Sequence, residues 1–527
     1  MTWRDWLSLG KTGLKVLLLA LPIFALTSVN TGCSEQSSSS PEPTPDPDPD
    51  PDPNPDPDPD PDPDPDPDPD PTPDPDPDPD PGPTPDCPAP SNGELPIVPC
   101  NVGFGMTTPA GSGRNLSPPS TTVYRVTNLN ASGEGSLKAC IDASGPRTCV
   151  FETSGTIDLT DLGMISINND YITIAGQTAP APGIMLRGAS IRIEASDVLI
   201  QHIRVRTGDA VEGRTPGDRD GLYAIGKSDD PDRQPHNVVF DHVSVSWGID
   251  ETFTVKDTAE NVTILDSIVS EGLWYNMHPK GGHSKGLMVS ADNMLLRGNL
   301  IAHHDDRAPL ETTPSAITVN NVTYNTRQVG MRLSPLSNNA NHDGKVRTTT
   351  VAGNVRLKGP DSDPDRDSAW AVVNEDRDGS KIYIEDNLCD GWENPEWPCV
   401  RVDSEKGASF RVKEPPLWIE GLVVLPASQT LDFVLKNAGA WPKQRDEVDS
   451  RIIDDVINRT GHIINCVGSE DFEYDGRKID CSINAGGWPD MAVNTHTLTL
   501  PEELNALDDS GYTNLEVWLH QKASAIE

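Results

Sequence analysis

From about residue 165 one local pattern keeps returning along this chain. Apolar residues alternate, a polar or small pair follows, and an apolar residue resumes. The instances are "ITIAGQT", "VLIQHIRV", "VVFDHVSV", "VTILDSIV", "MLLRGNLI", "ITVNNVTY", "TTVAGNVRL" and "IYIEDNLC". The second members of the polar pairs are Gly176, His202, His242, Ser267, Asn299, Asn321, Asn354 and Asn387, at intervals of 26, 40, 25, 32, 22, 33 and 33 residues. Alternation rich in β-branched residues predicts strands. These stretches carry no 3.6-residue period, which excludes a helical solenoid. A period of 22 or more that varies describes one short unit stacked on the next, with loops of unequal length. The chain therefore reads as all-β, a right-handed single-stranded parallel β-helix, in preference to a β-sandwich with irregular turns. The recurring Asn or Ser suits a tight turn that tolerates left-handed backbone and lets side chains form a ladder. The longest interval, His202 to His242, contains "GDAVEGRTPGDRDGLY", an insertion on a rigid scaffold of the kind on which sites are built.

The N-terminal residues are of another character. Arg4, Lys11 and Lys15 precede the apolar run Val16 to Leu26, "VLLLALPIFAL", which is short for a membrane span and reads as an export signal. "VNTGC" ends at Cys33, predicting a lipoprotein cleavage site with acylation of that cysteine. Residues 34–86 are dominated by Pro-Asp repeats. Proline at alternate positions excludes helix and sheet, and the extended form would reach about 140 Å. Four segments are thus expected: a signal at 1–33, a linker at 34–86, a β-helix at 87–485, and a tail at 486–527 packed on or extending from it.

Removing the linker's 17 Asp and 2 Glu takes the net charge from −41 to −22. The folded part stays acidic, which argues against a nucleic-acid partner. An acidic polysaccharide remains compatible if the site itself is basic or holds a metal. Beyond Cys33, eight cysteines fall into close pairs: Cys87 with Cys100, Cys140 with Cys149, Cys389 with Cys399, and Cys466 with Cys481. In an exported chain this spacing suggests four local disulfides.

Chemistry-bearing residues cluster on neighbouring coils. "GDRD" supplies Asp218 and Asp220, and "SWGIDET" supplies Asp250 and Glu251, 30 residues on. Residues one coil apart in a parallel stack lie about 4.8 Å apart, so these carboxylates could converge. Crowded carboxylates repel unless a cation neutralises them, and Ca2+ takes several oxygen ligands. "HPKGGHSKGLM" then brings Lys280, His283 and Lys285, and "HHDDRAPL" brings Arg307 one coil later. Acids, then lysine, then arginine would form a stripe suited to a polyanion bearing carboxylates. His278, His283, His303 and His304 match no tight zinc spacing, and ladder or surface roles suit them better.

These segments resemble family 1 polysaccharide lyases, the pectate lyases. "GFGMTTPAGSGRN" and "VYRVTNLNASGEGSLKACIDASGPRTCVFETSGTIDL" are similar to the family's opening and N-terminal cap. "VVFDHVSVSWGIDE" resembles its central signature, with Asp241 and His242 as an Asp-His pair. "VLKNAGAWPKQRDEVDSRIIDDVINRTG" and "GYTNLEVWLH" resemble the irregular C-terminal part of bacterial members. The resemblance implies that Asp218, Asp220 and Asp250 are Ca2+ ligands, that Lys285 binds substrate and that Arg307 is catalytic; Lys280 and His283, from the same basic set, are expected to bind substrate beside Lys285. Members with a fourth acidic ligand have it four residues after the position of Asp250. Here that residue is Thr254, with Glu251 as a candidate to compensate.

The implied reaction is β-elimination on polygalacturonate, giving unsaturated oligogalacturonides. Deprotonating a guanidinium is costly, and Asp305 and Asp306 would raise that cost if they contacted Arg307. Both acids are therefore expected to point elsewhere. The alternatives are a lyase on another polyuronate or on methylated pectin, and a non-catalytic carbohydrate-binding β-helix. The expected setting is an exported monomer, an outer-membrane lipoprotein or a cell-surface or secreted protein, touching membrane only through a lipid.

Overall fold

A computed structural model describes residues 102–527, apart from 227–229, 231–232, 364–368, 393, 395 and 510. The expected signal, the acylated Cys33 and the Pro-Asp linker lie outside the described residues. Among the described residues three parallel sheets of ten, nine and nine strands stack coil upon coil. One coil shows the path: His236–Asp241 lies in the first sheet, Ser244–Ser246 in the third and Glu251–Lys256 in the second, before the chain re-enters the first at Glu260–Leu265. Each strand pairs in parallel with its equivalents one coil before and after. This is a right-handed parallel β-helix, the hand that parallel crossovers adopt, and the sandwich alternative falls.

Alternation explains why the sequence stacks. In the second sheet Ile191, Leu222, Phe253 and Leu287 are successive register partners. All four are buried in the main core, where each such side chain contributes about 1.5–3 kcal/mol. The intervening residues Arg192, Tyr223, Thr254, Met288, Leu310 and Arg332 form the matching outward row. A one-residue slip would exchange the two rows, so the register is strongly determined.

The turn between the first and third sheets carries the expected ladder. Asn299 Nδ2 donates to Asn321 Oδ1 at 2.9 Å, Asn321 Nδ2 to Asn354 Oδ1 at 3.1 Å, and Asn354 Nδ2 to Asn387 Oδ1 at 3.0 Å. The left-handed residue is the one before each rung, namely Asp266, Gly298, Asn320, Gly353 and Asp386, with φ between 42° and 73°. In the two earlier coils His202 and His242 take left-handed backbone themselves, and their rings stack at 5.0 Å.

The N-terminal end of the stack is plugged. The helix Leu137–Asp142 buries Leu137, Cys140 and Ile141 in the core. Beside it the buried Arg147 donates to the carbonyls of Cys140, Ile141, Asn169 and Asp170 at 2.8–3.1 Å. Burial lowers its pKa to about 10. The last strand of the stack is Val400–Val402. Helices Ala427–Asn437 and Glu447–Asn458 then cover the outer face of the third sheet. The helix Asn514–Ile526, opened by a capping box at Thr513 and Glu516, packs Leu515 and Leu519 against Ala175. Among the described residues no helix is long and apolar enough to cross a membrane.

Among the described residues the disulfides are three, not the four expected. They join Cys140 to Cys149, Cys389 to Cys399 and Cys466 to Cys481, as the close spacing predicted, and they fit an oxidising, extracellular setting. The fourth expected bond, between Cys87 and Cys100, is not among them, because Cys87 and Cys100 both lie outside the described residues, which begin at Val102. The pairing of Cys100 therefore rests on spacing alone, and the β-helical domain is described from 102 rather than from the expected 87.

Candidate active site

Four consecutive coils enter the second sheet at the same edge, and the charged residues gather there. Asp220 precedes the strand Leu222–Ile225, and Asp250 and Glu251 stand at the start of Glu251–Lys256. Lys285 opens Lys285–Val289, and Arg307 precedes Leu310–Glu311. The register aligns them: Gly221 N–H donates to the Glu251 carbonyl, Glu251 pairs with Lys285, and Lys285 bridges to Asp306. The acid, lysine and arginine order therefore forms the expected stripe.

Asp220, Asp250 and Glu251 each direct a carboxylate oxygen to within 4.8 Å of the others. Asp220 is only 7% exposed. Burial, reinforced by the Asp250 charge, pushes it up to about 7. For Asp250 burial works in the same direction, but the hydrogen bond from His283 and the charges of its neighbours hold it below the usual carboxylate range. Three crowded oxygens, one of them protonating near neutrality for want of a counter-charge, fit a hard divalent cation.

Asp218 does not join them. Its side chain is 58% exposed and lies 3.6 Å from Arg214. Asp-x-Asp puts both carboxylates on one face only in a strand, and Pro216–Asp218 is a 3₁₀ turn. Thr254 is fully buried in the outward row beside Asp220, so the fourth acid is indeed missing there.

His283 is also placed differently from the substrate-binding expectation. Its Nε2 lies 2.6 Å from Asp250 Oδ1, and the ring is buried, so it holds a carboxylate of the protein. His278 stacks on it with centroids 3.9 Å apart and planes 4° apart. Imidazole lone pairs lie in the ring plane, and two parallel stacked rings cannot both aim at one ion. Moreover, His278 Nδ1 accepts the Lys280 N–H at 3.2 Å. Burial, with His283 beside it, lowers His278 to about 4. The stacked pair is therefore poorly aimed for a shared ion, although ligand atoms of Asp250, His278 and His283 lie within 4.8 Å of one another. His304 is likewise structural, with Nε2 on the Val269 carbonyl and Nδ1 accepting from Gly272. Lys280 is exposed on the same insertion.

Arg307 has left-handed backbone, φ 63°, a conformation that costs a non-glycine residue of order 1 kcal/mol or more and often marks functional sites. Its carbonyl accepts from Leu287 N–H at 2.6 Å. A Cβ on Gly286 would sit 2.6 Å from that oxygen and 2.9 Å from the His304 ring, so only glycine permits this approach. The guanidinium reaches back across the Lys285 coil, past the Met288 sulfur, to an ion pair with Glu251. Burial lowers its pKa, against the raising influence of Asp250 and Asp220. Asp305 and Asp306 turn elsewhere, as expected. Asp305 accepts from Arg327 Nε at 2.7 Å and from Lys285 Nζ at 3.2 Å, and Asp306 lies 3.7 Å from Lys285 and 3.8 Å from Arg332.

Arg327, Arg332 and Trp274 are additions that the sequence reading passed over. The Arg327 guanidinium lies 4.0 Å from the centre of the Trp274 ring. Both arginines come one coil after Arg307, and carrying the coil count one step further would have found them.

No protein-family model matches the chain. It is similar to a probable pectate lyase C of Aspergillus flavus, 32% identical over 418 residues, covering 75% of this chain and 88% of that protein. The Aspergillus oryzae and Emericella nidulans proteins of the same name are each 32% identical, covering 80% of this chain and 93% and 92% of theirs. Among solved structures, a pectate lyase bound to a hexasaccharide is 14% identical with a TM-score of 0.43, covering 67% of this chain and 99% of that one.

Proposed function

The chain belongs to the pectate lyase family, a family of polysaccharide lyases, and on that premise we propose that it cleaves polygalacturonate by Ca2+-dependent β-elimination. The observation that carries this reading is the convergence of Asp220, Asp250 and Glu251 beside Arg307 and Lys285 at one sheet edge. Asp220, Asp250 and Glu251 are the residues that would hold the ion. When bound there, Ca2+ would neutralise a uronate carboxylate and acidify the adjacent C5 proton.

The remaining work falls to side chains. Lys285, whose ammonium is held by Asp305 and Asp306, would meet the same carboxylate as negative charge develops on it. Arg307 takes the C5 proton, the electron pair forms the C4–C5 double bond, and the C4–O bond breaks with its electrons leaving on the glycosidic oxygen, which water protonates. Burial lowers the Arg307 pKa, in the direction this role needs, whereas its ion pair with Glu251 opposes proton loss. Lys280, exposed on the 273–284 insertion, meets the carboxylate of a more distant residue of the polymer.

The test is ultraviolet absorbance of unsaturated product on polygalacturonate, with Ca2+ and with chelator. Arg307→Ala should abolish the signal and Arg307→Lys should retain little. Full activity in Arg307→Ala would remove the mechanism. Product from alginate or esterified pectin, and none from pectate, would reassign the substrate. Binding of oligogalacturonate without product would support a non-catalytic role.

A further inference from the structure

We propose that Glu251 is a carboxylate shared between Arg307 and the bound cation, so that cation binding and release of Arg307 from its ion pair are one coupled event. This rests on the reading of the acidic group as a Ca2+ site.

Two sets of contacts meet on Glu251. Its oxygen lies within 4.8 Å of those of Asp220 and Asp250, and it is also the ion-pair partner of Arg307. The acids next to Arg307 in sequence are committed elsewhere, Asp305 to Arg327 and Lys285, and Asp306 to Lys285 and Arg332. Glu251 is 7% exposed and sits where its coil enters the sheet, pinned by pairing with Lys285 on one side and by the Gly221 N–H on the other. Its backbone is fixed, so the side chain alone chooses between the two partners. A carboxylate oxygen drawn onto a divalent ion gives most of its charge to that ion, and a guanidinium left behind would face a cation across a few ångströms. Arg307 would then turn from the acids along the outward row, where it already lies against Met288 and next to Leu310. Glu251 is thus a positioning residue: it parks the arginine while the site is empty and frees it when the ion arrives. By reciprocity, anything that engages Arg307 must tighten the ion.

The experiment is a double-mutant cycle on Ca2+ affinity, measured by isothermal titration calorimetry on the full chain without substrate. Glu251→Gln should weaken Ca2+ binding. Arg307→Gln should tighten it, on the order of tenfold, the usual scale of coupling between linked sites, and Arg307→Lys should restore the competition. In the Glu251→Gln background the same Arg307→Gln change should have little effect. Thermal melts of each variant check folding. Equal effects of Arg307→Gln in both backgrounds, or weaker binding on removal of the arginine, would overturn the coupling while leaving the Ca2+ site intact. No Ca2+ binding by the unaltered protein would overturn both the site and the coupling.

Discussion

Replacing Asp220 with Asn turns the crowding of the carboxylates into a measurable stability. In the protein without metal Asp220 is raised from 3.8 to about 7, first by burial and then by Asp250. A carboxyl whose folded pKa is raised penalises the native state once it ionises. The penalty is absent below the unfolded value of 3.8, grows as pH rises, and is complete above about 7. At about 1.4 kcal/mol for each pH unit between those values, it reaches on the order of 4 kcal/mol. Asparagine keeps the shape and cannot ionise. In chelator, Asp220→Asn should therefore match the unaltered protein at about pH 4 and exceed it by that amount at about pH 8. With roughly 2.1 cal/mol/K of unfolding entropy per residue over some 400 folded residues, the gain corresponds to about 4–5 °C in Tm. Added Ca2+ should erase or reverse the gap, because the unaltered site gains a ligand-bound state that the variant has lost. Differential scanning calorimetry across this pH range, with and without Ca2+, checks this. A Tm difference that does not change with pH would refute the argument that Asp220 is strained by charge.

Two further outcomes follow from the packing around the site. Gly286→Ala should lower turnover at least tenfold with Tm changed by only a few degrees, because its Cβ meets the Arg307 carbonyl at 2.6 Å and must displace the arginine; product absorbance beside a thermal melt measures both. His283→Ala removes the donor that holds Asp250 at 2.6 Å and should weaken Ca2+ binding about tenfold by calorimetry, while His283→Gln, which keeps an N–H, should recover part of it.

The stack was legible because alternation and a recurring turn residue are enforced at every coil, so each repeat confirms the last. The stripe was legible for the same reason: coil order translates into spatial order whatever the loop lengths. The disposition of Asp305 and Asp306 followed from the chemistry asked of Arg307, but the same demand did not anticipate Glu251, which pairs with it. Asp218 was not legible, because its side chain depends on a 3₁₀ turn inside a long insertion, where no periodicity operates. His283 was misread for a related reason. Its partner is set by the fold of the 273–284 insertion, which is itself held from afar by Arg477 donating to the carbonyls of Met277 and His278. The ion pair of Arg307 with Glu251 bridges an intervening coil, a reach that the rule of neighbouring coils does not anticipate. Short cysteine spacing was a good guide wherever both partners fall among the described residues, because a brief loop leaves two thiols few other partners. For Cys87 and Cys100, which fall outside them, spacing is the whole of the argument.

The terminal plug formed by Leu137–Asp142 and Arg147 decides something besides stability. A pile of parallel strands is its own template: the top coil offers the same hydrogen-bonding edge to a foreign strand as to the next native one, and nothing in the strand chemistry limits growth. At this end the plug is tied down by one guanidinium, whose donors occupy the carbonyls of both the plug and the loop at 169–170, with the Cys140–Cys149 bond holding the plug to the strand beside it. Arg147 thus fastens the lid on the stack. A molecule that lost it should loosen the plug from the strand Met164–Ile167 and bare Ile165 and Ile167, so that association end to end, seen by light scattering, precedes unfolding.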